Sequence, residues 1–333
     1  MKGKKTLMIF ILLYIAVFLL AFSLGRYPIT PLKLMKIFFA QIFPIECTWT
    51  IQEETIVFAL RIPRILLSSF VGASLALSGL LFQTVFQNPL ASQDVLGSGE
   101  ASAFGASLAL LLGLPYAMVS LSAFLFGLSS IAIVTFLGRK VHGDGKVALI
   151  LSGIMVSSIF TSLTSFVKLV ADTEETLPEI TYWLMGSLSS FRENDIVFMA
   201  FILLVAATPV VLLKWRLNLL SLKEEEAMSI GVDVKRLKTL AILSATLLTS
   251  ASVAVSGSIG WVGLVIPHFT RSFAGYDTKH LVPLSIISGA AFLTLVDTIS
   301  RTLTTTEIPL GIITSFVGAP FFIYLITKSR RMR

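Results

Sequence analysis

The chain has 333 residues, 55% of them hydrophobic and only 14% charged, with a formal net charge of +7. A mean hydropathy of +0.88 and apolar runs of roughly 18 residues or more exclude an ordinary soluble domain and indicate an integral membrane protein. Strand alternation with aromatic girdles is missing, so the spans are read as helices and the fold class as all-α and polytopic.

In chain order, apolar stretches predict about ten helices, at 7–24, 62–84, 95–112, 115–137, 146–170, 194–213, 238–256, 259–273, 281–301 and 309–327. The first follows the basic start MKGKK. It is too long for the apolar part of a usual secretory leader, so it is read as an uncleaved span. Gly97, Gly99, Gly257, Gly260, Gly263 and Pro267 interrupt the pattern, and broken spans are tolerated only inside protein or along a cavity. Gly72 with Ala76, and Ala101 with Gly105, place small residues four apart where helix backbones can approach closely.

Charge placement orients the chain. With the N-terminus inside, eight of the 26 Lys and Arg fall outside: Arg26, Lys33, Lys36, Arg61, Arg64, Lys168, Arg192 and Arg301. The remaining majority lies inside, which places both termini in the cytoplasm. The basic balance is thus read as membrane orientation, with the lipid bilayer as partner and no nucleic acid. The acid-rich segment 172–179 and Glu46, Glu53 and Glu54 then face outward.

Several chemistries find no residues. There is no G-x-x-x-x-G-K-[ST] phosphate loop and no H-E-x-x-H, and His142, His268 and His280 are scattered. The single cysteine, Cys47, excludes an internal disulfide and a cysteine-cluster metal site. The chain is read as non-catalytic, with no metal and no cofactor of its own.

Four groups of residues remain as candidates. Arg61 and Arg64 flank Pro63, which suits a first helical turn, and at a spacing of three they present guanidinium groups to one side. Together with Arg301 they are either interfacial anchors or a basic platform for an acidic soluble partner. Asp297, four residues before Arg301, shares its helix face and is read as its orienting pair rather than a proton relay. Glu100 either occupies a helix start, where a carboxylate is favoured, or lines a pathway. The charged knot SLKEEEAMSIGVDVKRLK sits between two apolar runs: Glu224, Glu225 and Glu226 favour a helix start and Gly231 its end. Ala227, Met228 and Ile230 add an apolar surface, so the knot is a solvated loop or a docking helix for a partner.

The segments RIPR (61–64), GASLALSGLLFQTVFQNPLASQDVLG (72–97), SIGWVGLVIPHFTR (258–271), DTISR (297–301) and PLGIITSFVGAPFFIYL (309–325) stand in an order and spacing that resembles the FecCD-type permeases of type II ABC importers. The resemblance covers nearly the whole chain. It implies one transmembrane domain over 1–333, similar to the vitamin B12 importer permease, that pairs with a second copy as a homodimer around a translocation path. It also implies two ATP-binding cassette ATPase subunits, which use ATP and Mg, docked on a cytoplasmic coupling segment at about 221–235. A substrate-binding protein is implied on the other face, engaging Arg61, Arg64 and Arg301. The expected localisation is the cytoplasmic (inner) membrane. The expected cargo is a metal chelate, a ferric siderophore first, with haem, cobalamin or molybdate and tungstate as alternatives. Glu100 departs from the small or neutral residue usual at its position. From another class, an ion-coupled secondary transporter is the competing expectation.

Overall fold

The structure is a computed structural model that describes residues 2–25, 27–44, 46–140, 145–221 and 232–330. All regular structure among these residues is helical. Each expected apolar stretch coincides with a helix: α1 (Lys2–Ser23), α4 (Ile62–Val85), α5 (Ser98–Leu111), α6 (Tyr116–Lys140), α7 (Gly145–Val170), α9 (Glu193–Leu212), α10 (Val234–Ser256), α11 (Val262–Ala274), α12 (Thr278–Ser300) and α13 (Leu310–Arg330). Three shorter helices join them: α2 (Pro31–Ala40), α3 (Ile51–Thr55) and α8 (Thr176–Leu184).

Among the described residues, seven helical stretches are long and apolar enough to cross a membrane: Lys5–Ser23, Ile51–Val85, Tyr116–Gly138, Val147–Val170, Glu193–Leu212, Val234–Ser256 and Thr278–Ser300. Helices α5 and α11, at 14 and 13 residues, are shorter than the roughly 20 residues a bilayer requires. They are the segments whose glycines interrupted the sequence pattern; most of α5 is buried, and α11 buries chiefly its N-terminal half.

Helix α4 forms the centre and is buried along nearly its whole length, whereas α1, α6, α7 and α9 expose most of theirs. A helix whose neighbours are as apolar as lipid gains nothing from hydrophobic exclusion, so close packing and interhelical hydrogen bonds must hold it. The residues of α4 meet that need. Gly72 lies so close to the Gly289 carbonyl of α12 that a Cβ at either glycine would overlap the other's backbone. Two turns on, a Cβ at Gly79 would overlap Gly263 of α11. Between them, the Ser78 hydroxyl is 2.6 Å from Thr249 Oγ1 and 3.0 Å from the Ala245 carbonyl of α10. The second small-residue pair works similarly: Gly105 of α5 packs on α6, where Ser122 donates to its carbonyl at 2.7 Å.

The helix breaks are satisfied internally. After Ser256, Gly257 takes a left-handed φ of 67°, where an L side chain would be strained and would meet the Trp183 carbonyl. The carbonyls released at the break find donors: Ser256 O accepts from Ser187 N at 2.8 Å and Ile259 O from Gln93 Nε2 at 3.0 Å. Gln83 Nε2 reaches Gly263 O at 3.2 Å.

One local feature differs from expectation. The helix expected to begin at Arg61–Pro63 starts earlier, because α3 runs through a π-helical turn, Ile56–Arg61, directly into α4. Pro63 has no N–H for the Ala59 carbonyl, and the wider turn accommodates that loss without ending the helix. Upstream, α3 is secured by a capping box in which Thr50 Oγ1 accepts from Glu53 N at 3.2 Å and Glu53 Oε2 accepts from Thr50 N at 2.9 Å. In the acid-rich stretch 172–179, Asp172 Oδ2 accepts from the Glu174 and Glu175 N–H groups and α8 begins at Thr176.

The glycine contacts give a direct test. Gly79→Val should cost about 1–3 kcal/mol by overpacking and lower the unfolding temperature of the purified protein, while Gly260→Ala, which has open space around it, should leave it unchanged.

Candidate functional site

The structure brings Arg61, Arg64, Asp297 and Arg301 together at one end of the bundle, with Glu307 from the α12–α13 connection. They do not form a row of open guanidinium groups. Arg61 is only 4% exposed and donates to the Phe22 and Tyr27 carbonyls; Arg301 is 8% exposed and its Nη2 donates to the Ala21 carbonyl. The cause lies in α1. Its last carbonyls have no intrahelical donors, and the two arginines from α4 and α12 supply them. Gly25 makes room: a Cβ there would stand 2.8 Å from Arg61 Nη2 and 3.3 Å from Arg301 Nη1. In this structure these two residues fasten the end of α1 to the core.

Arg64 is placed differently. Its Nε is 3.0 Å from Asp297 Oδ1, and its Nη1 and Nη2 grip Glu307 Oε1 and Oε2 at 2.9 and 2.8 Å. Asp297 is buried, and Arg64 Nη2 is nearer to it, at 2.9 Å, than Arg301 Nε at 3.6 Å. The carboxylate therefore orients two arginines. Glu307, 22% exposed on its side chain, is the outermost member and was missed in the sequence. Its signal was an acidic residue directly before Ile308–Pro309, at the mouth of the last apolar stretch.

At the opposite end, the segment preceding the charged knot is tied to the core. A 3-10 turn, Arg216–Ser221, follows α9. Asn218 Oδ1 accepts from Thr278 N at 2.8 Å, and Asn218 Nδ2 donates to Asp277 Oδ1 at 2.8 Å. Gln87, just past α4, donates to the Leu220 carbonyl, and Arg271 Nη1 of α11 donates to Gln83 Oε1 of α4. The chain segment just before the knot is thus fixed to the end of α4 and to the start of α12. Glu224, Glu225, Glu226, Ala227, Met228, Ile230 and Gly231 lie outside the described residues. The Asn218 amide, then the Lys279 N–H, hold the Asp277 carboxyl below the usual carboxylate range. Its contribution is complete above the unfolded value of about 3.9 and is lost only as pH falls through the lower folded value.

Glu100 occupies the first turn of α5, after the left-handed N-cap Gly97, in a different part of the fold from the arginine cluster. Helix α7 carries a feature that sequence reasoning passed over. Ser158, Thr161, Ser162 and Ser165 recur at helical spacing on an exposed face. Ser158, Ser162 and Ser165 each donate to the carbonyl four residues back at 2.9 Å, so they are internally satisfied in an apolar setting. Their i, i+4, i+7 spacing was the available signal.

Residues 12–328 match the FecCD transport family. The chain belongs to the FecCD transport family. It is 38% identical over 320 residues to the molybdate import system permease protein MolB of Haemophilus influenzae, covering 96% of this chain and 94% of that one. It is 36% identical over 277 residues to a probable iron chelatin transport system permease protein of Helicobacter pylori, covering 83% of each. A solved structure described as an inward-facing conformation of a metal-chelate type ABC transporter superposes with a TM-score of 0.88 at 37% identity, covering 98% of this chain and 99% of the other. This FecCD-family chain is accordingly a transmembrane permease subunit of an ABC importer.

The buried charges give a second test. Asp297→Asn leaves Arg64 and Arg301 without their shared carboxylate and should destabilise the protein by about 3–5 kcal/mol. Glu307→Gln, at a partly exposed position, should cost much less in the same unfolding measurement.

Proposed function

We propose that two copies of this chain form the gate and conduit of a binding-protein-dependent importer whose cargo is a metal chelate, with a ferric siderophore as the first candidate. The observation that carries the reading is the end-to-end agreement with the FecCD family and with a metal-chelate type transporter fold. ATP and Mg are used by two partner ATPases, which dock on the segment at about 221–235. The fastening of Asn218 and Leu220 to α12 and to the end of α4 supports this, because a push on that segment is passed to the central helix. The hydroxyl-bearing face of α7 supports a pathway wall between two copies: it is polar without charge, so a bulky chelate can slide without being trapped. The charge bias along the sequence supports cytoplasmic termini and an inner-membrane location. A molybdate cargo is the second reading, favoured by the similarity to MolB over 96% of the chain.

The binding protein docks at the arginine end, and Arg64 is the residue it engages. An incoming carboxylate takes the place of Glu307 in the Arg64 fork, while Arg61 and Arg301 stay with α1. Arg64→Ala should weaken docking at low salt, and Glu307→Gln should strengthen it by removing the competitor; unchanged affinity in both variants would sink the exchange. Ala227→Pro with Gly231→Val should separate ATP hydrolysis from transport, and normal transport in that double variant would remove the coupling role.

Transport itself is tested in proteoliposomes containing this chain, its ATPase and its binding protein, offered ferric siderophores, haem, cobalamin and molybdate. ATP-dependent accumulation of a siderophore is expected. Accumulation of molybdate alone would move the assignment to the second reading, and uptake that needs an ion gradient but no ATPase would overturn the importer mechanism.

A further inference from the structure

Between the C-terminal half of α9 and the N-terminal half of α10 the surface opens into a groove of about 490 Å³. Its walls are apolar: Val205 and Pro209 on one side, Leu240, Leu243 and Leu247 on the other. Small side chains leave the space unfilled, with Ala206 and the Pro209 ring facing Thr239 and Ser244. Val205 and Leu243 are each 47% exposed, so the groove opens to the surroundings and is not part of the sealed core. An empty apolar space of this size forfeits dispersion contacts on every wall.

Lys235 and Arg236, in the first turn of α10, stand at its mouth. Asp233 caps the helix and lies 2.9 Å from Arg236 Nε, which leaves the outer face of that guanidinium directed away from the carboxylate. Lys235 has no counter-carboxylate among the described residues. The mouth is thus positive, and the helix start adds to the attraction for an anion. From Lys235 to Leu247 the helix advances about 18 Å at about 1.5 Å per residue, close to one leaflet of a hydrocarbon core about 30 Å thick.

A charged mouth above an apolar trough of leaflet depth is the shape of a two-part ligand. We propose that this groove holds an anionic diacyl phospholipid, with an acyl chain along Val205, Pro209, Leu240, Leu243 and Leu247 and the phosphate at Lys235 and Arg236. The lipid fills the gap that Pro209 and Ala206 leave between α9 and α10, and steadies the two helices that flank the charged knot.

The test uses the full-length chain assembled with its ATPase in nanodiscs of phosphatidylcholine containing a photoactivatable phosphatidylglycerol. Cross-links should concentrate in 205–212 and 240–247, and unlabelled phosphatidylglycerol should compete about tenfold better than phosphatidylcholine. Lys235→Gln with Arg236→Gln should erase that preference, and Arg236→Gln alone, which leaves the segment at 221–235 intact, should weaken it while the assembly keeps its size and its ATPase. Leu243→Trp should remove labelling of both segments without changing labelling of α1. Labelling no denser than on α1, or a preference that survives the double charge variant, would overturn the proposal. So would labelling that appears in the chain alone and vanishes in the assembly, since a protein partner would then cover the groove.

Discussion

The structure depends on how near other backbones can come to α4. Gly72 against Gly289 and Gly79 against Gly263 bring three helices into backbone contact around one axis, and Ser78 ties in a fourth through Thr249 and Ala245. In a medium that is itself apolar, large side chains gain little by facing each other. Small residues do better, because they expose carbonyls and hydroxyls to one another and shorten every dispersion contact. This explains why so oily a chain places Gly72, Ala76, Ser78 and Gly79 at its centre, beside buried large side chains such as Leu75, Leu77 and Phe82.

The same economy governs the ends of helices. Where α1 stops, its free carbonyls are met by Arg61 and Arg301; where α10 breaks, Ser187 and Gln93 meet the carbonyls of Ser256 and Ile259. Arginines that composition alone assigns to the surface are thereby drawn inward, and Arg64 beside them is shared between Asp297 and Glu307. Neighbouring residues of the same type are thus held by different partners, backbone carbonyls for Arg61 and Arg301 and carboxylates for Arg64.

Much of this was legible in the sequence. Each apolar run coincides with a helix among the described residues, seven of which belong to stretches long and apolar enough to cross a membrane, and the glycine interruptions marked α5 and the α10–α11 break as places where a span is shortened. The small-residue spacing at Gly72 and Ala76 pointed to close approach, though its partner Gly289 could not be read without the fold. What escaped had weaker local signals. Helices α2 and α8 are short and amphipathic, so neither length nor hydropathy marks them. The burial of Arg61 and Arg301 was invisible because their acceptors are backbone carbonyls, which every sequence carries equally. Glu307 is paired with Arg64 across 243 positions, and no periodicity links residues so distant.

The π-helical turn at Ile56–Arg61 bears on how this chain can change length. Such a turn stores one residue more than a regular helix would hold between α3 and α4. Losing that residue would not break the helix; it would swing α2 and α3 by about 100° about the α4 axis, with α1 held where it packs on α12. The α2–α3 cap, joined by Lys33 to Glu53 at 2.8 Å, would then move as a unit away from the end of α1 that it now covers. The single extra residue is therefore a register mark: it sets the azimuth at which α2 and α3 meet the rest of the protein, and a one-residue deletion there would be felt as a rotation rather than as a gap.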